Sequence, residues 1–264
     1  MNKQLETPNL PWLHELASCS STNTWAIAHA AELGHGDVVF TRHQTAGRGQ
    51  HGRVWYAPAG VLTASFVLDR VSVAQLPGLS LAAGLAVIHA VEALAPDLQA
   101  ALRLKWTNDV LIEERKLAGI LCEAASSSRS SHTRVVVGVG LNRCADFSEL
   151  DATIARRAIS LHQVAPVPEE RVLFQHLRHH LMQTIEVSAH SGLADLLPEL
   201  HERDALRDRW VTLELAGTHV SGQALGVDAI GRLRLRLSDG QVRAFSSGRV
   251  VNWSRQQESP TANC

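Results

Sequence analysis

A polar loop at residues 44–55 contains the side chains best suited to chemistry in this chain. Three of its twelve residues are glycines, and no apolar residue lies between Ala46 and Val54. Glycine permits positive φ angles and close approach of the backbone to a ligand. Arg48 and Arg53 can bind an anion together with exposed backbone N–H groups. The loop therefore predicts a site for a phosphate or a carboxylate.

A second polar cluster follows at residues 105–109, with the sequence KWTND. The amide of Asn108 and the carboxylate of Asp109 suit contacts with a ribose or with Mg²⁺, which favours carboxylates and phosphate oxygens. Lys116 comes soon afterwards, and Gly119 permits close approach of a ligand. Each feature alone is also compatible with a turn or a solvated charge. Together with the glycine-arginine loop they indicate a nucleotide-using enzyme.

The spacing Gly47-x-Gly49-x-x-Gly52 also matches two common nucleotide motifs, but the surrounding sequence argues against both. A Rossmann loop opens a helix, whereas residues 53–58 have the pattern of extended chain ending at a proline. A protein kinase also needs H-R-D and D-F-G motifs, and the chain has neither.

Neither the histidines nor the cysteines predict a metal site. His176, His179 and His180 lie on one predicted helix, and His176 and His180 are one turn apart. The chain has no H-E-x-x-H motif and no obvious third ligand for this pair, so a solvated helix face is favoured. The cysteines are scattered without a C-x-x-C pair, which predicts reduced thiols. They are Cys19, Cys122, Cys144 and Cys264.

Length and charge restrict the class of protein. A chain of 264 residues forms one large domain or two smaller ones. A net charge of −1 creates no global field for nucleic acid, so an anion site must be local. The first twenty residues lack a secretory pattern, and the apolar run at 79–88 is shorter than the roughly 20 residues that span a bilayer. These features predict a cytoplasmic protein without a membrane partner, in which that run is a buried helix.

The elements that must position the two polar clusters can be assigned from periodicity and turn signals. Helices are predicted at 20–33, 79–95, 169–187 and 193–208. Strands are predicted at 38–41, 61–68, 102–106, 110–112, 119–123 and 135–142, with a serine-rich loop at 126–131. Only short strands follow, at 211–215, 220–226, 233–237 and 242–245, before a polar, disordered tail at 256–264. The predicted domains are therefore residues 1–208 and a small barrel at 209–264.

Five segments of the chain resemble the motifs of biotin protein ligases, in order and in spacing. They are S-T-N at 21–23, Q-T-A-G-R-G at 44–49, K-W-x-N-D at 105–109, K-L-A-G-I-L-x-E at 116–123 and G-V-G-L-N at 138–142. The resemblance covers about residues 15–250. It implies an α+β fold: a catalytic domain like that of class II aminoacyl-tRNA synthetases, with a mixed sheet and helices mainly on one side, and a C-terminal SH3-like barrel.

The resemblance also implies a two-step ligase reaction. Biotin and Mg²⁺-bound ATP form biotinyl-5′-AMP, and a lysine of a biotin carboxyl carrier domain then attacks this intermediate and releases AMP. Lys116 and Arg48 are the implied catalytic residues, with Lys116 neutralising charge during adenylation. The implied biotin-binding residues are Ser21, Thr22, Asn23, Gln44, Gly47, Arg48, Gly49, Lys116 and Gly119. The implied ATP-binding residues are Gln50, His51, Gly52, Arg53, Trp55, Asn108, Gly140 and Asn142, with Trp55 stacking on adenine and Asp109 as a Mg²⁺ ligand.

Two positions depart from the family pattern. Gln50 stands where many members have an arginine that holds the adenylate, and Thr107 stands where many have proline. Twenty residues precede Ser21, too few for the DNA-binding domain of some members, so a ligase without DNA binding is predicted; a homodimer is left open. The alternatives are a lipoate or octanoate ligase or transferase with the same fold, and a non-catalytic regulator that binds biotin.

Overall fold

A computed structural model describes residues 10–125 and 132–254 and contains two sheets. The strands of the larger sheet are β1 Leu13–Leu16, β2 Val38–Thr41, β3 Val61–Ser72, β4 Arg103–Lys105, β5 Asp109–Ile112, β6 Arg115–Ala124 and β7 His132–Asn142. Their order is β1-β2-β3-β7-β6-β5-β4, in which β1 and β2 are parallel and all other neighbours are antiparallel.

The two faces of this sheet differ because side chains alternate along each strand. The even-numbered residues of β3 from Leu62 to Leu68 and the odd-numbered residues of β7 from Val135 to Leu141 are buried and apolar, and they form the main core. The opposite face contains one register row that crosses six strands from β2 to β4. The row consists of Thr41, Thr63, Gly140, Gly119, Asp109 and Lys105. A row of polar and small residues leaves space for a ligand above the middle of the sheet.

The two long helices cover the apolar face. The helices are α1 Thr22–Ala28, α2 Leu79–Leu94, α3 Ala152–Arg157, α4 Glu170–Ser191 and α5 Leu197–Arg203. The long helices α2 and α4 pack against each other, and α2 also contacts β4, β5 and β6. The segment Val73–Leu94 is long and apolar enough to cross a membrane by composition alone, but α2 lies in the core with eleven buried residues. The short helix α1 packs on the other face, against β3 and β7.

The second sheet forms the small SH3-like domain. Its strands are β8 Trp210–Leu215, β9 Thr218–Val227, β10 Leu233–Arg236, β11 Val242–Phe245 and β12 Arg249–Ser254, in the antiparallel order β11-β10-β9-β8-β12. This domain contacts the first one directly: Trp106 Nε1 donates a hydrogen bond to the Gly231 carbonyl at 2.9 Å. The boundary between residues 208 and 209 remains a prediction; it lies in the connection that precedes β8.

Most predicted elements are present, and the differences have physical causes. The predicted helix at 193–208 is wrong beyond Arg203, because the chain turns there and Ala205 N donates to the Leu104 carbonyl. The helix predicted at 20–33 ends at Ala28. Strands β1 and β12 and helix α3 were not predicted. They are short, and tertiary pairing rather than a local pattern stabilises the two strands. The serine-rich loop and the C-terminal tail lie outside the described residues.

Asp204 lies in the connection between the two domains, and the ionisation of its carboxyl should affect the stability of the protein. Its Oδ2 atom is buried without a hydrogen-bond partner among the described residues, and burial raises the pKa of its carboxyl to about 6. The folded state thus binds this proton more tightly than the unfolded chain, so stability is lost progressively as the pH rises from the ordinary carboxyl pKa to about 6, and the full penalty of ionisation applies above that pH. We expect Asp204→Asn to raise the free energy of unfolding at pH 8 by about 1–2 kcal/mol.

Urea denaturation at pH 5 and pH 8 measures this effect. The increase in the free energy of unfolding caused by Asp204→Asn should be larger at pH 8, where the carboxyl of the folded wild-type protein is ionised. Asp208→Asn is the matched control, because the Asp208 side chain is 77% exposed and its neutralisation should change little. An equal gain at both pH values would show that ionisation of Asp204 is not the cause.

Candidate active site

The N-terminus of α1 forms one end of the site. Ser21 is the N-cap residue of α1, and its side chain accepts a hydrogen bond from Thr24 N. This bond fixes the orientation of the first turn of the helix. Ser65, on the polar face of β3, donates its hydroxyl to Asn23 Oδ1 at 2.6 Å, and its oxygen lies 2.8 Å from the Thr22 hydroxyl. Gln44 Oε1 accepts from Thr22 N at 3.0 Å. This buried network presents several small polar groups, as a urea or amide ligand requires.

Arg48 ties the glycine-arginine loop to the sheet. Its guanidinium donates to Glu123 Oε1 at 2.7 Å and to Thr24 Oγ1 at 3.1 Å. The other oxygen of Glu123 accepts from Asn23 Nδ2 at 2.9 Å. Glu123 therefore holds both the loop and the α1 end of the site. The arginine side chain is half exposed, which leaves part of its guanidinium accessible to an anion.

The glycines of the loop have different roles. A Cβ at Gly47 would overlap the Trp55 carbonyl, and Trp55 N donates to Gly47 O at 2.9 Å, so this glycine allows the loop to close. Gly49 lines the cavity beside Arg48. Gly52 has a positive φ and no atom near the position of a Cβ, and it lines neither of the two cavities of the site. Its structural role here is the turn.

Lys116 and Lys105 flank one largely buried carboxylate, that of Asp109. Lys116 Nζ lies 2.5 Å from Asp109 Oδ1, and Lys105 Nζ lies 3.6 Å from Asp109 Oδ2. Burial alone raises the pKa of Asp109, but the two ammonium groups outweigh it, and the pKa lies below its usual value. Burial lowers the pKa of Lys105, and the charge of Asp109 opposes this effect. The triad concentrates positive charge at the edge of the cavity.

Two asparagines hold the backbone around this triad. Asn142 Nδ2 donates to the Lys116 carbonyl at 2.9 Å and to the Ile159 carbonyl at 3.1 Å. Asn108 Nδ2 donates to the Ile120 carbonyl at 2.7 Å. Both amide groups thus fix β6, the strand that carries Lys116. Asn108 lines the smaller cavity and Asn142 the larger one, and their role in ATP binding stays a prediction.

The indole of Trp55 lies across two glycines. A Cβ at Gly140 would overlap the indole ring, and a Cβ at Gly119 would lie 3.1 Å from it and 2.9 Å from Lys116 Nζ. The Lys116 ammonium lies 5.1 Å from the centre of the ring. Trp55 Nε1 is buried and has no hydrogen-bond partner among the described residues. An unsatisfied donor at this depth is suited to a ligand oxygen.

Two cavities meet at this indole. The first, of about 110 Å³, is lined by predicted site residues from both sets: Ser21, Thr22, Asn23, Gln44, Arg48, Gly49, Gln50, Arg53, Trp55, Asn108, Lys116, Gly119 and Gly140. The second, of about 400 Å³, includes Asp109 and Asn142 and shares Arg53, Trp55 and Lys116 with the first. Five basic side chains line the second cavity: Arg53, Lys105, Lys116, Arg157 and Arg249. They outnumber the acidic Asp109 and Glu114 and suit a polyphosphate.

Three predicted residues lie outside both cavities: Gly47, His51 and Gly52. His51 lines grooves on the barrel side of the loop instead. Two further residues of the site, Lys105 and Glu123, lie within the motifs of the sequence, but no role was predicted for either of them. Trp253 was also not predicted, because the sequence contains no local signal for it.

The donor set of Asp109 does not fit a resident Mg²⁺ ion. Both carboxylate oxygens are paired with lysine ammonium groups. No group of three or more metal-ligating side chains occurs within residues 10–125 and 132–254. Mg²⁺ prefers one or two free carboxylates together with phosphate oxygens. The geometry of Asp109 therefore does not support its predicted role as a magnesium ligand.

Comparison with known proteins identifies the family. Residues 16–142 match the biotin/lipoate A/B protein ligase family, and residues 208–253 match the biotin protein ligase C-terminal domain. A biotin–acetyl-CoA-carboxylase ligase of Mycobacterium tuberculosis is 36% identical over 91% of this chain and 88% of its own length. The chain belongs to the biotin protein ligase family. A bifunctional ligase/repressor of Salmonella typhimurium is 29% identical over 95% of this chain and 76% of its own length.

The fold agrees with that of solved biotin protein ligases. The Aquifex aeolicus enzyme, solved in complex with biotin and ATP, has a TM-score of 0.77 and 23% identity, and the match covers 92% of this chain and 99% of that one. The predicted fold class, with a mixed sheet and a C-terminal SH3-like domain, is confirmed. The predicted resemblance to biotin protein ligases and the predicted biotin ligase activity are also confirmed. The C-terminal residues match the biotin protein ligase C-terminal domain, and the Mycobacterium tuberculosis relative is a biotin–acetyl-CoA-carboxylase ligase.

Proposed function

We propose that this biotin protein ligase joins biotin to ATP in the cleft formed by the two cavities and transfers it to a lysine of a carrier domain. One observation carries the assignment of the site: Lys116 and Trp55 line both cavities, so the catalytic lysine stands where two ligands would meet. The smaller cavity, with its uncharged network at α1, suits the urea head and ring of biotin. The larger, basic cavity suits the nucleotide and its phosphates.

In the first step, a carboxylate oxygen of biotin attacks the α-phosphorus of ATP, and the bond to the leaving pyrophosphate breaks. Negative charge accumulates around the α-phosphate, within reach of Lys116. A preorganised charge in a partly desolvated site stabilises such a transition state. Asp109 keeps the Lys116 ammonium in place, and Arg48 closes the loop over the biotin side through Glu123. The Trp55 N–H is available to an oxygen of the bound ligand.

In the second step, the neutral amine of an acceptor lysine attacks the acyl carbon of biotinyl-5′-AMP. An amide forms, the bond to AMP breaks, and the amine loses a proton. Relatives named biotin–acetyl-CoA-carboxylase ligases support a carboxylase carrier domain as acceptor. The described cysteines, Cys19, Cys122 and Cys144, are all free thiols, which supports a cytoplasmic site of action.

Mass spectrometry of a carrier domain tests this proposal. The domain is incubated with the protein, Mg²⁺-bound ATP and either biotin or lipoate. We expect one added biotinyl group on one lysine, with release of pyrophosphate, and no modification by lipoate. Modification by lipoate alone would instead favour the lipoate ligase alternative. No pyrophosphate release with either acid would favour a non-catalytic regulator.

Gln50 allows a further prediction about retention of the adenylate. Its side chain lines the smaller cavity, and Gln50 Oε1 accepts a hydrogen bond from the Thr107 hydroxyl at 2.8 Å. The two departures from the family pattern therefore contact each other. A charge-assisted hydrogen bond is roughly twice as strong as a neutral one. We expect Gln50→Arg to slow release of biotinyl-5′-AMP by about tenfold, equivalent to about 1–2 kcal/mol.

Rapid filtration of protein loaded with labelled biotin measures this release. Thr107→Val is the control, because it removes the hydrogen bond without adding charge. The chain itself has only three lysines, Lys3, Lys105 and Lys116, so escaped adenylate is best detected by labelling of an added lysine-rich protein. Unchanged or faster release from Gln50→Arg would contradict the prediction.

A further inference from the structure

Trp253, a residue of the SH3-like domain, lies in the wall of the basic cavity. It belongs to β12 and pairs with Val211 of β8, so the barrel determines its position. It lines the cavity of about 400 Å³ together with Lys105, Asp109 and Lys116. The Lys105 ammonium lies 4.5 Å from the centre of the indole ring, within the range of about 6 Å over which a cation is attracted to an aromatic face.

Apart from Asp109, the surroundings of Lys105 disfavour its positive charge. Its side chain is only 14% exposed. Burial lowers its pKa, the Asp109 carboxylate opposes this, and Lys116 and Arg53 lower it further through charge repulsion. Asp109 is shared with Lys116, which lies at 2.5 Å, whereas Lys105 lies at 3.6 Å. The indole face is thus the second attractive contact that the structure gives to this ammonium group.

We propose that Trp253 is a positioning residue for adenylation, which holds the ammonium group of Lys105 in the basic cavity where the ATP phosphates would lie. The contacts run from Trp253 through Lys105 and Asp109 to Lys116, so the SH3-like domain completes the charged wall of the catalytic domain. This inference rests on the proposed function for its kinetic consequences. The contact between the ring and the ammonium group can be tested without any activity.

The direct test is NMR titration of the protein with ¹⁵N-labelled lysine. Since the chain has only three lysines, the Lys105 signal can be assigned by comparison with Lys105→Arg. Trp253→Leu removes the aromatic face and keeps an apolar side chain, whereas Trp253→Phe keeps a ring. We expect the pKa of Lys105 to fall by roughly one unit in Trp253→Leu and to stay near the wild-type value in Trp253→Phe.

The kinetic test is biotin-dependent pyrophosphate release as a function of pH and ATP concentration. In Trp253→Leu we expect the KM for ATP to rise roughly tenfold and the alkaline limb of kcat/KM to move to lower pH. An arginine at position 105 stays charged throughout, so Trp253→Leu should no longer shift the alkaline limb in a Lys105→Arg background. Phe245→Leu is the matched control: Arg243 lies 5.2 Å from the Phe245 ring in the same domain, outside both cavities.

The outcomes separate the alternatives. An unchanged Lys105 pKa in Trp253→Leu would overturn the proposal, as would equal kinetic losses in Trp253→Leu and Trp253→Phe, which would indicate packing alone. If thermal unfolding shows that the leucine variant is not folded, Trp253→Met provides the same comparison with a larger side chain. Absence of pyrophosphate release from the wild-type protein would contradict the proposed function, while the NMR titration would still decide the role of Trp253.

Discussion

Replacing Lys116 with alanine should reduce the rate of biotinyl-5′-AMP formation by roughly 10²–10³-fold, the loss typical when one preorganised charge donor is removed. Lys116 lines both cavities and is held by Asp109 at 2.5 Å. Its charge is therefore already in place when negative charge develops at the α-phosphate. Because the effect is on the transition state, kcat should fall more than the KM for biotin rises.

Single-turnover formation of the adenylate from labelled biotin measures this loss directly. Lys116→Arg is the matched variant, because it keeps a positive charge and changes the geometry. It should retain more activity than Lys116→Ala. Thermal unfolding curves of both variants are needed as a control for folding. Removal of the Lys116 ammonium leaves Asp109 with a single lysine partner, Lys105. Near-normal pyrophosphate release by a folded Lys116→Ala would remove this residue from the mechanism.

Replacing Gly140 with alanine should lower kcat/KM for ATP by about 10²-fold, because misplacement of groups in a site by about 1 Å can cost this much. A Cβ at Gly140 would lie 2.8 Å from Trp55 Nε1 and would overlap other atoms of the indole. The ring must therefore leave its place between the two cavities. Alanine is tolerated in a strand as well as glycine is, so β7 itself should persist.

Gly138→Ala is the matched control on the same face of the same strand. Its Cβ would lie 2.5 Å from Asn23 Oδ1, at the α1 end of the site. We therefore expect Gly138→Ala to raise the KM for biotin and Gly140→Ala to impair mainly the use of ATP. Steady-state kinetics with each substrate varied in turn distinguish the two. If both variants affected the two substrates equally, the division of the cleft at Trp55 would be wrong.

Local patterns were sufficient where a single segment decides the structure. The N-cap cluster at Ser21 predicted the start of α1, and the strand at Val38–Thr41 was predicted with its observed bounds. The helix at Leu79–Leu94 was predicted to within one residue. Apolar periodicity, capping side chains and turn residues act over a few positions, so the sequence contains them explicitly. The same applies to the glycines and arginines of the loop, whose types alone indicated an anion site.

The order and spacing of five motifs also determined the family and, through it, the reaction. The comparisons confirm this assignment. The motifs did not show which side chains contact each other in the folded protein. Glu123 and Arg48 are 75 positions apart, and Lys105 and Trp253 are 148 apart, yet each pair is in contact. Contacts at such separations depend on the path of the whole chain.

By itself, then, the sequence determined which residue types were available for binding biotin and ATP, and in which local elements they lie. Only the tertiary structure decided that Thr63, Gly140, Gly119 and Asp109 share one row of the sheet. The physical reason is strand register: side chains alternate between faces with a period of two, so a shift of one residue in any strand would move its members of the row to the buried face. Register is specified by burial of the opposite, apolar face, which is a property of the assembled sheet and its covering helices.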